Sequence, residues 1–100
     1  MTKVKLEWLR TGQLVPCYLM ASYLYYHRNV SLMSDADYDK LCEALFILWN
    51  EPEVRTHQHR HLVKRDALAA GTGYYIPENR YPLRVRGAAF NLAAKCGLLP

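Results

Sequence analysis

Two helical segments lie close together in the first half of the chain, and they constrain the fold more than any other feature. The first, residues 16–29, begins with a proline, which suits a first helical turn, and is rich in Leu, Met, Ala and Tyr. The second, 35–50, follows Ser34, whose side chain can cap a helix, and Pro52 marks its end. The short linker predicts an antiparallel helical hairpin. The inward stripe of the second helix is Leu41, Leu45 and Leu48.

The rest of the chain predicts two more helices and a loop. Residues 56–70 begin with a capping threonine and are followed by a glycine. The segment GTGYYIPENRYP, 71–82, is too rich in Gly and Pro for a helix and predicts a loop, with a short strand at 74–76 as an option. A last helix should end at Gly97. Because 51% of the 100 residues are apolar, we expect a single, mainly α domain over 1–100.

Phenols and carboxylates are predicted to cluster on the hairpin. Asp35, Tyr38 and Asp39 are spaced i, i+3 and i+4, so they share one helix face, separate from the leucine stripe. Tyr25 and Tyr26 close the preceding helix, so we expect the two sets to meet at the open end of the hairpin. Aromatic faces attract cations by about 0.5–2 kcal/mol per ring, and carboxylates accept hydrogen bonds from amides or ribose hydroxyls. The pattern therefore suits a flat cationic ring such as oxidised nicotinamide.

The stretch YLYYHRNVSLMSDADYDKLCEAL, residues 23–45, closely resembles the N-terminal Ia domain of bacterial NAD-dependent DNA ligases. The motif of that domain is approximately Tyr-x-Tyr-(His or Tyr), eight residues, then Asp-Ala-Glu-Tyr-Asp-x-Leu. Residues 23–26 match its first part and 35–41 its second without a gap. The resemblance covers about 18–48, and it implies a helical module that grips the nicotinamide mononucleotide half of NAD. The residues it implies as ligand-binding are Tyr25, Tyr26, Asp35, Tyr38 and Asp39.

The ligase reaction itself requires more than this motif. Adenylylation needs a nucleotidyltransferase domain built around Lys-x-Asp-Gly. The nearest match, Lys64-Arg65-Asp66, has Ala67 in place of glycine and too few residues after it for that fold. The resemblance therefore implies a ligase-like accessory protein without ligase activity, which binds NAD or nicotinamide mononucleotide or uses that surface to contact a partner protein. Compact phage genomes carry such stand-alone modules, so the resemblance implies a phage or host partner in the host cytoplasm.

The excess positive charge of the chain lies in its second half. The net charge is +4, and residues 51–100 contain twice as many basic as acidic residues. Arginines bind phosphate and tyrosines stack on bases, so the part from about 55 to 100 is a candidate nucleic-acid surface. A solvated basic face, or a site for the phosphate of a bound nucleotide, are the alternatives. The candidate residues are Lys64, Arg65, Arg80, Arg84 and Arg86. The alternative function is a small basic DNA-binding protein whose ligase-like motif is only structural.

Metal binding is not expected from the sequence. Cys17, Cys42 and Cys96 are widely spaced in apolar sequence, which predicts buried free thiols rather than a disulfide framework or a zinc site. The histidines of HQHRH, residues 57–61, have no cysteine or acid at a spacing that would complete a site. They predict a surface or partly packed cluster.

Catalysis and membrane insertion have less support than binding. Asp35 and Asp39 could stabilise an oxocarbenium-like ribose, yet no pattern for NAD cleavage, no nucleophile elbow and no phosphate-binding glycine loop accompanies them. No apolar run is long enough to cross a bilayer, and the charged N-terminal residues do not form a signal peptide. We therefore expect a cytoplasmic binding protein that is not an enzyme.

Overall fold

The computed structural model describes residues 2–99, and this part of the chain is mainly helical and contains no strand. The five α-helices in this range are α1 (Leu14–Arg28), α2 (Asp35–Ile47), α3 (Pro52–Arg55), α4 (Arg65–Ala69) and α5 (Leu83–Lys95). Short 3₁₀ turns connect several of them. The predicted mainly α fold is thus confirmed. None of the helices in residues 2–99 has the length and apolar character needed to cross a bilayer.

Helix α1 is the central element because it is buried on most of its surface. Nine of its fifteen residues are buried, which is typical of a core helix rather than a surface helix. It packs against both α2 and α5. Helix α1 begins at Leu14, two residues earlier than predicted. Pro16 therefore lies within its first turn, where the missing backbone N–H costs no helical hydrogen bond. It ends at Arg28, and the left-handed backbone of the next residue, Asn29 (φ 56°), lets the Val30 N–H donate to the Leu24 carbonyl at 2.9 Å.

Helix α2 begins as the sequence predicted. The Ser34 hydroxyl accepts a hydrogen bond from the Asp37 N–H at 3.1 Å, and Asp35 and Asp37 lie in the first turn, at the positive end of the helix dipole. The helix ends at Ile47, three residues before the predicted end. Pro52, expected to mark the end of the second helix, is the first residue of the short helix α3.

The predicted helix over 56–70 is wrong, because side chains in its first half bond to the local backbone. The Thr56 hydroxyl donates to the Pro52 carbonyl at 2.6 Å and so closes α3 instead of opening a new helix. The His57 ring nitrogen Nδ1 accepts the backbone N–H two residues ahead at 3.1 Å, which competes with helical bonding. Val63 is extended (φ −95°, ψ 127°) and buried. Only the end of the segment is α-helical, as α4, and residues Arg60–Leu62 form a 3₁₀ turn.

The loop 71–82 is anchored against helix α1. The Tyr18 hydroxyl donates to the Thr72 carbonyl at 2.7 Å, and His27 Nε2 donates to the Ile76 carbonyl at 3.0 Å. Ile76 is buried in the common core. These contacts form a turn, so the optional strand at 74–76 does not occur. The last helix, α5, ends at Lys95, two residues before the predicted Gly97, which has a left-handed φ of 68°.

Candidate functional site

A cleft of about 140 Å³ opens where α1 ends and α2 begins, and we call it the hairpin cleft. It lies at the end of the hairpin that the linker closes. The prediction of the open end is wrong, because the last turn of α1 and the first turn of α2 both flank the linker. All five residues singled out in the sequence line this cleft together. The lining residues are Ala21, Tyr25, Tyr26, Ser31, Leu32, Met33, Asp35, Tyr38, Asp39 and Gly71.

Tyr38 belongs both to the cleft wall and to the hairpin packing. Its hydroxyl hydrogen-bonds the fully buried Ser22 hydroxyl at 2.7 Å, and its ring stacks on Tyr18 at a centroid distance of 6.0 Å and an angle of 20°. Burial raises the pKa of the Tyr38 phenol, so it remains neutral over the physiological pH range. Tyr38 therefore packs between the two helices of the hairpin, and this packing fixes its ring at the cleft.

Tyr25 and Tyr26 give the cleft an aromatic edge. Tyr25 is 52% exposed, and its ring meets the half-buried Tyr26 edge to face at 4.9 Å. The Tyr26 hydroxyl hydrogen-bonds the Thr72 hydroxyl at 3.1 Å, and Tyr74 packs on the Tyr26 ring at 5.7 Å. A residue outside the hairpin motif thus holds Tyr26 in place, while the Tyr25 ring remains accessible.

Asp35 and Asp39 make the cleft locally negative. Both side chains are exposed, and within residues 2–99 neither carboxylate forms a hydrogen bond or an ion pair. No lysine or arginine lines the cleft in this part of the chain. Asp39 Oδ1 lies close to Gly71, where an added Cβ would be 3.3 Å from it. The free carboxylates are therefore available to a cationic group or a hydrogen-bond donor that enters the cleft.

The sequence missed the contribution of the loop to this site. Gly71 lines the cleft, Thr72 bonds the Tyr26 hydroxyl, and Gly73 lies against Ser22 and Tyr38. The two glycines were the only signal, since they allow the close approach of a backbone to another element. Nothing in the spacing of GTG indicated which element it approaches.

The five candidate basic residues do not lie together on one surface. Lys64 and Arg80 line a second cleft of about 130 Å³, which we call the basic cleft. Arg65 lies over the Phe46 ring at 4.3 Å, Arg86 Nε donates to the Tyr81 carbonyl at 2.9 Å, and Arg84 is exposed. None of the five lines the hairpin cleft. The other residues of the basic cleft are His61, Leu62, Tyr75, Ile76 and Pro77.

The three cysteines, and two histidines of the HQHRH stretch, are at least partly buried. Cys17 and Cys42 are buried free thiols, and burial raises the pKa of Cys17 to about 12 and that of Cys42 to about 11. Cys96 is partly buried. The rings of His57 and His59 lie 5.7 Å apart, and burial lowers the pKa of both. Within residues 2–99, no three His, Cys, Asp or Glu side chains are grouped as a metal ion would require.

Comparisons with protein-family models, with curated proteins and with solved structures found no match to this chain. The ligase-like interpretation therefore depends on the residues of the 23–45 stretch and on the geometry of the hairpin cleft.

Proposed function

We propose that the hairpin cleft binds the oxidised nicotinamide ring of NAD or of nicotinamide mononucleotide. On this proposal the chain is a ligase-like accessory protein with no ligase activity of its own. The observation that carries the proposal is the convergence on one cleft of the five residues that helix spacing and the ligase-like motif singled out: Tyr25, Tyr26, Asp35, Tyr38 and Asp39.

The size of the cleft suits one ring. A cavity of about 150 Å³ can hold a benzene molecule, so about 140 Å³ accommodates a single six-membered ring and excludes a whole dinucleotide. The ribose and everything beyond it would lie outside, along the rim. The lining mixes apolar side chains with a few polar groups, which is the usual composition of a small-molecule site.

The chemistry of the cleft suits a cationic ring that carries an amide. The exposed Tyr25 ring at the cleft can offer its quadrupole to the positive charge, and the carboxylates of Asp35 and Asp39 can accept the amide N–H groups or ribose hydroxyls. A neutral aromatic ligand would offer no positive charge to the two carboxylates. The charge of the cleft therefore favours the oxidised form of nicotinamide.

The same surface is suited to contact a partner protein, from a phage or its host. Tyr25 beside the cleft and Tyr74 on the adjoining loop are both exposed, the second by 77%, and aromatic side chains are enriched at protein interfaces. On this version of the proposal the hairpin cleft receives a basic side chain of the partner. Calorimetry separates the two, because only the nucleotide version predicts heat with nicotinamide mononucleotide alone.

Tyr25→Ala is expected to weaken nicotinamide mononucleotide binding by about 2- to 30-fold, the loss of one cation–π contact of about 0.5–2 kcal/mol. The measurement is isothermal titration calorimetry of the wild type and the variant. Trp8→Ala is the control, because Trp8 is a similarly exposed ring that does not line the cleft. Equal affinities for wild type and Tyr25→Ala, or no heat with the wild type, would contradict the nucleotide version of the proposal.

A second candidate function is binding of single-stranded DNA at the basic cleft. It is favoured because Lys64 and Arg80 reach this cleft from different segments and, within residues 2–99, neither forms an ion pair. The Lys64 ammonium lies 5.2 Å from the centre of the Tyr75 ring, so charge and an aromatic surface adjoin. Such a combination suits a phosphate next to a stacked base.

The Lys64→Gln/Arg80→Gln double variant should reduce the salt dependence of oligonucleotide binding. The slope of log affinity against log salt falls by about 1.4 if two single-strand phosphate contacts are lost. Fluorescence anisotropy with a labelled oligothymidine measures this, and Lys3→Gln/Lys95→Gln, with the same change in charge at exposed sites, is the control. Identical slopes in the two double variants would exclude the basic cleft as the DNA site.

A further inference from the structure

The aromatic wall of the basic cleft is fixed before a ligand binds. The Tyr75 hydroxyl accepts the backbone N–H of Lys64 at 2.7 Å and donates to the carbonyl of Leu62 at 3.2 Å. These bonds attach the loop to a second segment of the chain that lines the same cleft. A ring held in this way loses little side-chain entropy when a ligand packs against it.

The lining of the basic cleft is positive and has no acidic residue among those that the structure describes. Its three basic side chains are His61, Lys64 and Arg80. They come from segments on either side of helix α4, and over residues 2–99 none of the three side chains forms an ion pair or a hydrogen bond. Their N–H groups are therefore available to an anionic ligand.

The acids that lie close in sequence do not cancel this charge. Glu78 lies in the same 3₁₀ turn as Arg80, but its carboxylate forms an ion pair with Arg28. The Asp66 carboxylate accepts the Ala67 N–H at 3.0 Å, and Asp66 does not line the cleft. The positive charge of the lining is therefore directed to a ligand rather than neutralised by the chain.

A phosphomonoester matches this lining better than a phosphodiester. A monoester carries about −1.5 to −2 charges at pH 7 and has three acceptor oxygens, whereas each phosphate inside a strand carries about one negative charge. Since the Coulomb energy is proportional to the product of the charges, the same cations attract the monoester more strongly. The cleft volume of about 130 Å³ is close to that which holds one six-membered ring, so it suits a single nucleotide unit.

We infer that the basic cleft prefers a phosphomonoester on a nucleoside, either a free mononucleotide or the end of a strand, to the phosphodiesters inside a strand. This inference rests on the second candidate function, and it names the group that the basic cleft holds. The phosphate lies among His61, Lys64 and Arg80, and the nucleoside packs against the Tyr75 ring.

Titration calorimetry at low salt with four probes tests the inference. Thymidine 5′-monophosphate should bind the wild type at least fivefold more tightly than its methyl ester, which is a diester of nearly the same size. A 5′-phosphorylated hexathymidine should bind at least fivefold more tightly than the unphosphorylated hexamer. Equal affinities within either pair would overturn the inference and leave DNA binding at the basic cleft standing. Absence of binding by all four probes would overturn both.

The two phosphorylated probes also distinguish the two sources of the phosphate. Equal affinities for the mononucleotide and the phosphorylated hexamer would agree with the inference and identify a free nucleotide as the ligand. A phosphorylated hexamer that binds at least tenfold more tightly than the mononucleotide would agree with it and identify the end of a strand.

The His61→Gln variant tests the position of the phosphate, because the second candidate function does not depend on His61. The side chain is exposed, and its loss should reduce the preference for the monophosphate over the methyl ester at least threefold. His59→Gln is the matched control, since His59 lies two residues away and does not line the cleft. It should keep the preference of the wild type, and circular dichroism checks the fold of both variants. An unchanged preference in His61→Gln, or an equal loss in His59→Gln, would overturn the inference.

Discussion

Gly73→Ala is expected to lower the free energy of unfolding by about 3 kcal/mol, at the upper end of the range for overpacking a core. An added Cβ would meet the Ser22 hydroxyl, would lie 2.8 Å from Ser22 Cβ and would lie 2.9 Å from the Tyr38 hydroxyl. Ser22 is fully buried on the central helix and cannot move aside. The loop would have to shift as a whole, which strains its anchors on helix α1.

Urea denaturation followed by circular dichroism measures this effect, with Gly87→Ala as the control. Gly87 lies within helix α5, and an added Cβ there meets no atom within 4 Å. Alanine is the better helix former, so Gly87→Ala should raise the free energy of unfolding by about 0.5–1 kcal/mol. Gly73→Ala as stable as the wild type would show that the loop does not pack against Ser22 in this way.

Tyr23→Ala is expected to lower the free energy of unfolding by about 3–5 kcal/mol, the usual loss for deleting a buried ring. Domains of this kind are stable by about 5–15 kcal/mol in total, so the loss would remove a large fraction of that stability. Tyr23 is 1% exposed, and its ring contacts Tyr81 at 5.3 Å and Phe90 edge to face at 5.9 Å. It connects α1 with α5 and with the end of the loop.

Tyr25→Ala is the control for this second prediction, since it removes the same kind of side chain two residues away. Tyr25 is exposed and its loss leaves no core cavity, so stability should change by about 0.5 kcal/mol at most. Thermal and urea unfolding of both variants provide the comparison. Similar losses in the two would contradict the division of the motif tyrosines between the core and the cleft.

The sequence predicted those elements that depend on local signals. Helix α1 was placed from Pro16 and its content of Leu, Met, Ala and Tyr, α2 from its leucine spacing and the Ser34 cap, and α5 from Gly97. Each of these features acts within a few residues of the helix. The segment 56–70 was mispredicted because Thr56 and Gly71 are typical of a helix cap and a helix terminator. Its threonine and histidine side chains form competing bonds that helix propensity does not describe.

The candidate site was likewise predicted only where its residues lie close together in the sequence. Residues related by i, i+3 and i+4 share a face, so the acids and Tyr38 were found from spacing alone. The contributions of Gly71 and Thr72 arise from contacts between residues far apart in sequence, which no local pattern records. The separation of the basic residues likewise depends on which arginines pack on rings or carbonyls in the folded chain.

The bonds of Thr72 to Tyr18 and Tyr26 have a consequence for transplanting the motif. An isolated peptide spanning only residues 14–47 would retain every motif tyrosine and aspartate, but it would lack the partner of the Tyr26 hydroxyl and the wall that Gly71 supplies. Two helices of that length also bury too little surface to stay folded alone in water. The unit that could be moved between proteins is therefore the hairpin together with the loop that contains Gly71 and Thr72.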